Sequence, residues 1–272
     1  MCRTPALAAT VLALLASPAL AAEPAKPQGA AAPVAAPQAR AKASVQQRAE
    51  AARMDPLARA AFWGRELETD GRDVEAAVGL SRALRQLDRA DEAADVAGRG
   101  LVVAPDHYEL LMESARAWIA KGQGFYAVDP AKKAQALAPR DWRPVALLAV
   151  AMEQTGRDAE ALGYHQQALA LAPNEPGAIS NMAMYYAARG ELPRAEQMLR
   201  AAAGSSRADV RVRQNLALVI GLQGRLAEAE QLARQDLPPD EVSNNLAWLK
   251  AATERAPNGQ GRSWGSVTGG GQ

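Results

Sequence analysis

The chain has 272 residues, 49% of them hydrophobic and 4% aromatic, with 31 Lys+Arg against 30 Asp+Glu and a formal net charge of +1. That apolar share is ample for a core. An alanine-leaning, aromatic-poor composition without sustained two-residue alternation suits closely packed helices better than a sheet. The near-zero charge argues against nucleic acid as a partner and against a polybasic membrane contact.

In chain order, Met1 to Ala21 reads as a secretory signal peptide. Arg3 supplies the positive start, and Leu7 to Leu15 is an apolar stretch too short to span a bilayer. Ala19-Leu20-Ala21 is a small-x-small cleavage site. Cleavage after Ala21 removes Cys2, the only cysteine, and leaves a mature chain of zero formal charge with neither thiol nor disulfide. No cysteine stands at the cleavage site to carry a lipid. The expectation is a periplasmic protein without lipid anchor or direct membrane insertion. Residues 22–44 are mostly Ala, Pro, Gln and Lys and predict a disordered linker.

Residues 45–73 predict an N-terminal helical cap or degenerate repeat. A short helix over 45–53 is followed by one that opens at Asp55-Pro56, an N-cap with proline in the first turn. That second helix carries Leu57, Phe62, Trp63 and Leu67 and ends near Asp70-Gly71.

Five units follow at a fixed step, over 74–107, 108–141, 142–175, 176–209 and 210–243. Pro105, Pro139 and Pro173 lie 34 apart; so do Gly122, Gly156, Gly190 and Gly224, and so do Ala93, Ala127, Ala161, Ala195 and Ala229. Each unit reads as two amphipathic helices about a glycine turn that needs φ > 0, with the alanine early in the second helix where the pair must cross closely. Pro130 falls inside the second helix of the second unit. An interior proline costs roughly 3 kcal/mol, so a loose turn over Gly122–Gly124 and a late helix start are expected, with Asp129 as N-cap and Pro130 first in the helix. Arg207 takes the place of the closing proline in the fourth unit, and Leu237-Pro238-Pro239 closes the fifth early. A capping helix over 240–255 presents Val242, Leu246 and Leu249 to the last unit, since an array otherwise leaves its end face bare. Residues 256–272 are glycine-rich and predict a disordered tail.

No catalytic constellation assembles, and no enzyme activity, metal or cofactor is expected. His107 and His165 lie in different units at different phases, whereas a metal wants several ligands close together. Gly98-Arg99-Gly100 sits within a helical pattern, and no mature cysteine is present to act as a nucleophile. Pairs such as Arg225 with Glu228 and Glu196 with Arg200 read as solvated helix faces.

A 34-residue helix–turn–helix period resembles the tetratricopeptide repeat. Asn181-Met182-Ala183 and Asn215-Leu216-Ala217 match its first helix, and Glu160-Ala161, Glu228-Ala229 and Ala168 through Pro173 match its second. The resemblance implies an all-α fold, a right-handed superhelix of about five units with terminal capping helices. It also implies that first helices line a concave groove for a protein partner. The groove residues are then Met112, Arg116, Arg143, Asn181, Met184 and Asn215, with Arg82, Glu109, Gln214 and Leu218 beside them. Arg116 and Arg143 are expected on solvated faces. A narrower likeness lies in Phe62-Trp63-Gly64-Arg65 and in the run from Val212 to Leu249, which is similar to the TadD-type proteins of tight-adherence (Flp) pilus assembly. That likeness implies a periplasmic scaffold or assembly factor whose partner is the pilus secretin or another component of that secretion system, with no small-molecule substrate. Those proteins are usually lipoproteins, and this chain departs from them in lacking the lipid-bearing cysteine. The alternative is a general periplasmic adaptor in envelope or polysaccharide biogenesis.

Overall fold

A computed structural model describes residues 41–254. The signal peptide, linker residues 22–40 and the tail over 256–272 lie outside the described residues. Every regular element among those described is a helix. They are α1 (Val45–Ala51), α2 (Pro56–Thr69), α3 (Val74–Gln86), α4 (Ala90–Val103), α5 (Tyr108–Ala120), α6 (Gly124–Leu137), α7 (Trp142–Gln154), α8 (Asp158–Leu171), α9 (Pro176–Ala187), α10 (Leu192–Ala203), α11 (Val210–Leu222), α12 (Leu226–Ala233) and α13 (Pro239–Glu254).

The helices pair as hairpins, and the hairpins stack. The backbone of each odd-numbered helix from α3 to α11 lies against that of the next odd one, whereas the backbones of successive even helices stay apart. The odd helices therefore form a continuous inner row. Each even helix lies on the outside, wedged between its own partner and the following odd helix.

The alanine step makes this spacing possible. Ala93, Ala127, Ala161 and Ala195 are fully buried and Ala229 is nearly so. A second small-residue step, Ser81, Ala115, Ala149, Ala183 and Ala217, is buried on the facing helices. In the first hairpin the two steps meet directly, where the Ser81 hydroxyl donates to the Ala93 carbonyl at 2.8 Å. Small side chains on both sides let the backbones approach, and larger residues fill the flanks.

Each hairpin turn has the same construction. The four step glycines have φ of 71, 71, 81 and 84°. The next amide folds back on the first helix, as in Gln123 N–H to Trp118 C=O at 2.9 Å and Arg157 N–H to Met152 C=O at 2.9 Å, a left-handed C-cap that satisfies the last carbonyls. In the first unit the left-handed residue is Asp88, at φ 57°. A residue with a Cβ is strained there, so Asp88→Gly is expected to stabilise the array by up to about 1 kcal/mol. A thermal melt checks this, and a fall in the midpoint would show that the Asp88 side chain contributes more than its backbone costs.

A second step at 34 residues caps the first helices. Asp73, Asp141 and Asp209 each accept a first-turn amide, at 2.9, 2.9 and 3.0 Å. His107 takes the same place in α5, where Nδ1 accepts from the Leu110 amide at 3.4 Å.

The second unit departs from the sequence expectation. Its turn is as tight as the others, and α6 starts at Gly124 with Pro130 inside the helix rather than at its start. The reason is the packing of the first turn. A Cβ at position 124 would lie 2.7 Å from the Ala151 carbonyl oxygen, and Gln154 Nε2 donates to the Ile119 carbonyl at 2.9 Å. The close approach at Gly124 sets the first turn of α6 against α7, with the Gln154 bond tying α7 to α5 beside it, and this packing outweighs the local cost of the proline.

The N-terminal cap is tied down by charge. Arg48 on α1 reaches Glu66 at 2.5 Å, Asp73 at 2.6 Å and Glu75 at 2.8 Å. The expected linker ends earlier than its composition implies. Lys42 pairs with Asp70 at 2.5 Å, and the Ala43 amide donates to Glu66 at 3.1 Å. At the other end, α13 covers α11, with Val242 and Leu249 buried. The approach is so close at Gly221 that a Cβ there would collide with a Leu249 methyl.

Candidate functional site

The inner row is the surface that the stacking leaves open along the array. Moving along it in steps of 34 gives Arg82, Arg116, Val150, Met184 and Leu218. The row is therefore cationic toward its N-terminal end and apolar toward its C-terminal end.

The cationic end is built on one buried carboxylate. Glu113 on α5 is completely buried. Arg116 on the same helix reaches it at 2.7 Å, and Arg82 and Arg85 from α3 reach it at 3.1 and 3.4 Å. Arg82 also contacts Glu109 at 3.2 Å. Three guanidiniums around one enclosed carboxylate satisfy its acceptors and leave surplus positive charge at the surface. Arg116 is thus not on a freely solvated face. Arg143 is not free either: its guanidinium holds Asp141 at 2.6 Å and lies 5.7 Å from the centre of the Tyr108 ring. Met112 is corrected as a groove residue. It is fully buried, packed with Leu111 and Ala134, and no partner reaches it.

At the apolar end, Met184 and Leu218 are half-buried against the C-terminal core. Asn181 is half-buried, and Asn215 donates to the Ser180 hydroxyl at 3.0 Å, which joins α11 to α9. Gln214 Nε2 is buried without a hydrogen-bond partner among the described residues. It borders a cavity of about 220 Å³ between α11 and α13, also lined by Asn215, Leu218, Asn245, Leu246 and Trp248. Asn245 and Trp248 were not anticipated. The signal was present, because Trp248 lies one 34-residue step beyond Gln214, and α13 thus extends the inner row.

A further group of charges staples the last two repeat units. Glu196 on α10 is held by Arg225 and by Arg200 at 2.7 Å, and Arg200 crosses to Glu228 at 2.6 Å. These pairs link successive hairpins rather than decorating separate helix faces. The Arg225 guanidinium, with Gln223 and Arg200 against the opposing effect of burial, brings the Glu196 pKa down to about 2. At Asp141, burial works against the carboxylate. The Arg143 guanidinium, the Tyr108 hydroxyl at 2.7 Å and the Arg143 amide outweigh it and bring the pKa down to about 2. Burial first, and then that bond to Asp141, push the Tyr108 phenol up to about 12. Carboxylates depressed in the folded state add stability above the unfolded value of about 4, and that share disappears as pH falls toward about 2. The melting temperature is expected to hold from pH 7 to 5 and to fall between pH 4 and 2. Glu196→Gln should flatten that fall, and an unchanged acid profile in this variant would remove Glu196 from the account.

The histidines serve the fold. His107 is an N-cap, and buried His165 meets Glu153 at 2.6 Å across its hairpin. Among the described residues no group of three or more His, Cys, Asp and Glu is placed to hold a metal ion. None of the helices among them is long and apolar enough to cross a membrane.

Two family models, both described as tetratricopeptide repeat, match residues 145–177 and 177–208. Residues 145–208 carry tetratricopeptide repeats. A tetratricopeptide-repeat protein of Thermus thermophilus is similar in structure over 65% of this chain and 96% of its own, at 21% identity and a TM-score of 0.56. A tetratricopeptide repeat protein from Parabacteroides merdae is similar over 75% and 80%, at 12% identity and a TM-score of 0.62. These likenesses are of fold. No curated protein matches the chain in sequence. Tetratricopeptide repeats are scaffolds for protein–protein contact.

Proposed function

We propose that the protein is a periplasmic scaffold for tight-adherence (Flp) pilus assembly, and that its inner row binds a segment of a protein partner such as the outer-membrane secretin. The observation that carries the binding mode is the graded row, from the arginines around Glu113 to Met184, Leu218 and the cavity under α13. It fits an extended or helical segment that is acidic at one end and apolar at the other. The pilus assignment is supported by Phe62 to Arg65 and by the run from Val212 to Leu249. The periplasmic location is supported by the signal-like first 21 residues.

The test is retention of the pilus secretin by the purified chain, with circular dichroism as the folding control. Arg82→Gln and Met184→Ala are each expected to weaken retention about tenfold, the first with a strong dependence on salt and the second with little. Retention of a different envelope protein through the same residues would move the reading to a general adaptor in envelope or polysaccharide biogenesis. Full retention by both folded variants would mean that the inner row is not the working surface.

A further inference from the structure

One unit breaks the pattern of the outer row. At the outward first turn of the even helices the chain carries Asp91-Glu92, Ala159-Glu160, Pro193-Arg194 and Ala227-Glu228, but the same step in α6 is Phe125-Tyr126. These two rings are 73% and 56% exposed. They are ordered against each other and the fold, with Phe125 5.4 Å from Tyr126 and Tyr126 4.9 Å from Trp118.

Four residues beyond Tyr126 the pattern breaks again. Pro130 stands at the step that holds Val96, Tyr164, Met198 and Leu232. Beside Pro130 lies a slot of about 180 Å³ lined by Leu101, Leu111, Trp118, Tyr126 and Lys133, with the Asp129 carboxylate also on its wall. The exposed face of α6 then continues through Lys132 and Lys133, which make no ion pair among the described residues, to Leu137, which is 50% exposed.

We infer that the outer face of α6 is a second protein-docking surface, which takes an acidic amphipathic segment of a partner. One bulky apolar side chain of that segment enters the slot, and its carboxylates lie on Lys132 and Lys133. The slot is too small for a drug-sized molecule and suits a single side chain. The order along the helix is aromatic pair, Asp129, lysine pair and leucine, so the charge beyond the slot is net positive and complementary to a segment whose carboxylates follow the apolar side chain in the slot. A recessed slot between α4, α5 and α6 fits a protruding side chain better than a flat bilayer. The helices on either side carry Asp91 and Glu92, and Asp158 and Glu160, at the corresponding turn, carboxylates that an anionic headgroup layer would have to meet. This surface is independent of the inner row and of the pilus assignment.

The test uses the full chain and fluorescence anisotropy with three probes. These are a helix-forming peptide with Leu and Glu at four-residue spacing, its twin with Lys in place of Glu, and phosphatidylglycerol vesicles. Three variants probe the three features. Phe125→Ala with Tyr126→Glu restores the pair found in two other units, Pro130→Leu fills the slot, and Lys132→Glu with Lys133→Glu reverses the charge. Thermal melts no lower than wild type establish that the variants fold. The acidic peptide is expected to bind, each variant to weaken it about tenfold, and the lysine twin to bind no better than the variants. Failure of the acidic peptide to bind, equal binding by all three folded variants, or binding of the vesicles without the peptide would each overturn the inference.

Discussion

Ala161→Arg is expected to destabilise the whole array by about 3 kcal/mol or more, the sum of overpacking and a guanidinium forced into an apolar crossing. For a domain of this size that lowers the melting temperature by roughly 10 °C. Ala161 is fully buried at the crossing of α7 and α8. The only escape for a long side chain is to separate the two helices, which also strips α7 and α8 from their neighbours. Because each unit is held by the next, the loss spreads beyond residues 142–175. A denaturation midpoint equal to that of wild type would show that the alanine step does not set the helix spacing.

Glu113→Ala is the second large effect, expected at about 3–5 kcal/mol, the range for removing one partner of a buried ion pair. Three arginines from two helices converge on that carboxylate, and without it they repel one another across α3 and α5. Removal of any one of the arginines should cost less, because two remain to neutralise Glu113. Urea denaturation of the four single variants ranks them directly. An Arg82→Gln variant less stable than Glu113→Ala would refute the view that Glu113 organises the cluster.

Much of the architecture was legible because its constraints recur. The glycine step and the alanine step each reflect one local demand, a left-handed residue and a close crossing, so the sequence displays them in phase. What was not legible depends on neighbours far along the chain. Nothing near Glu113 foretells its burial, since Arg82 and Arg85 come from the preceding unit. Met112 was misplaced because a first helix buries two adjoining faces, one against its own partner and one against the next hairpin, which narrows the open stripe. Pro130 was misread because its local cost was weighed without the contacts that fix Gly124. The end of the linker was missed for the same reason, as the carboxylates that hold Lys42 and Ala43 belong to α2 and the turn after it.

The contact pattern of the helices also sets how the protein acquires its structure. No helix touches another more than two places away in the order α1 to α13, so every contact closes a loop of a few tens of residues at most. Topologies of such low contact order fold in microseconds to milliseconds. The array has no obligatory nucleus: any hairpin that forms offers a template edge to the next, in either direction. The array can therefore settle unit by unit, and a lesion in one hairpin interrupts propagation there and deprives the hairpins on each side of the neighbour that supports them.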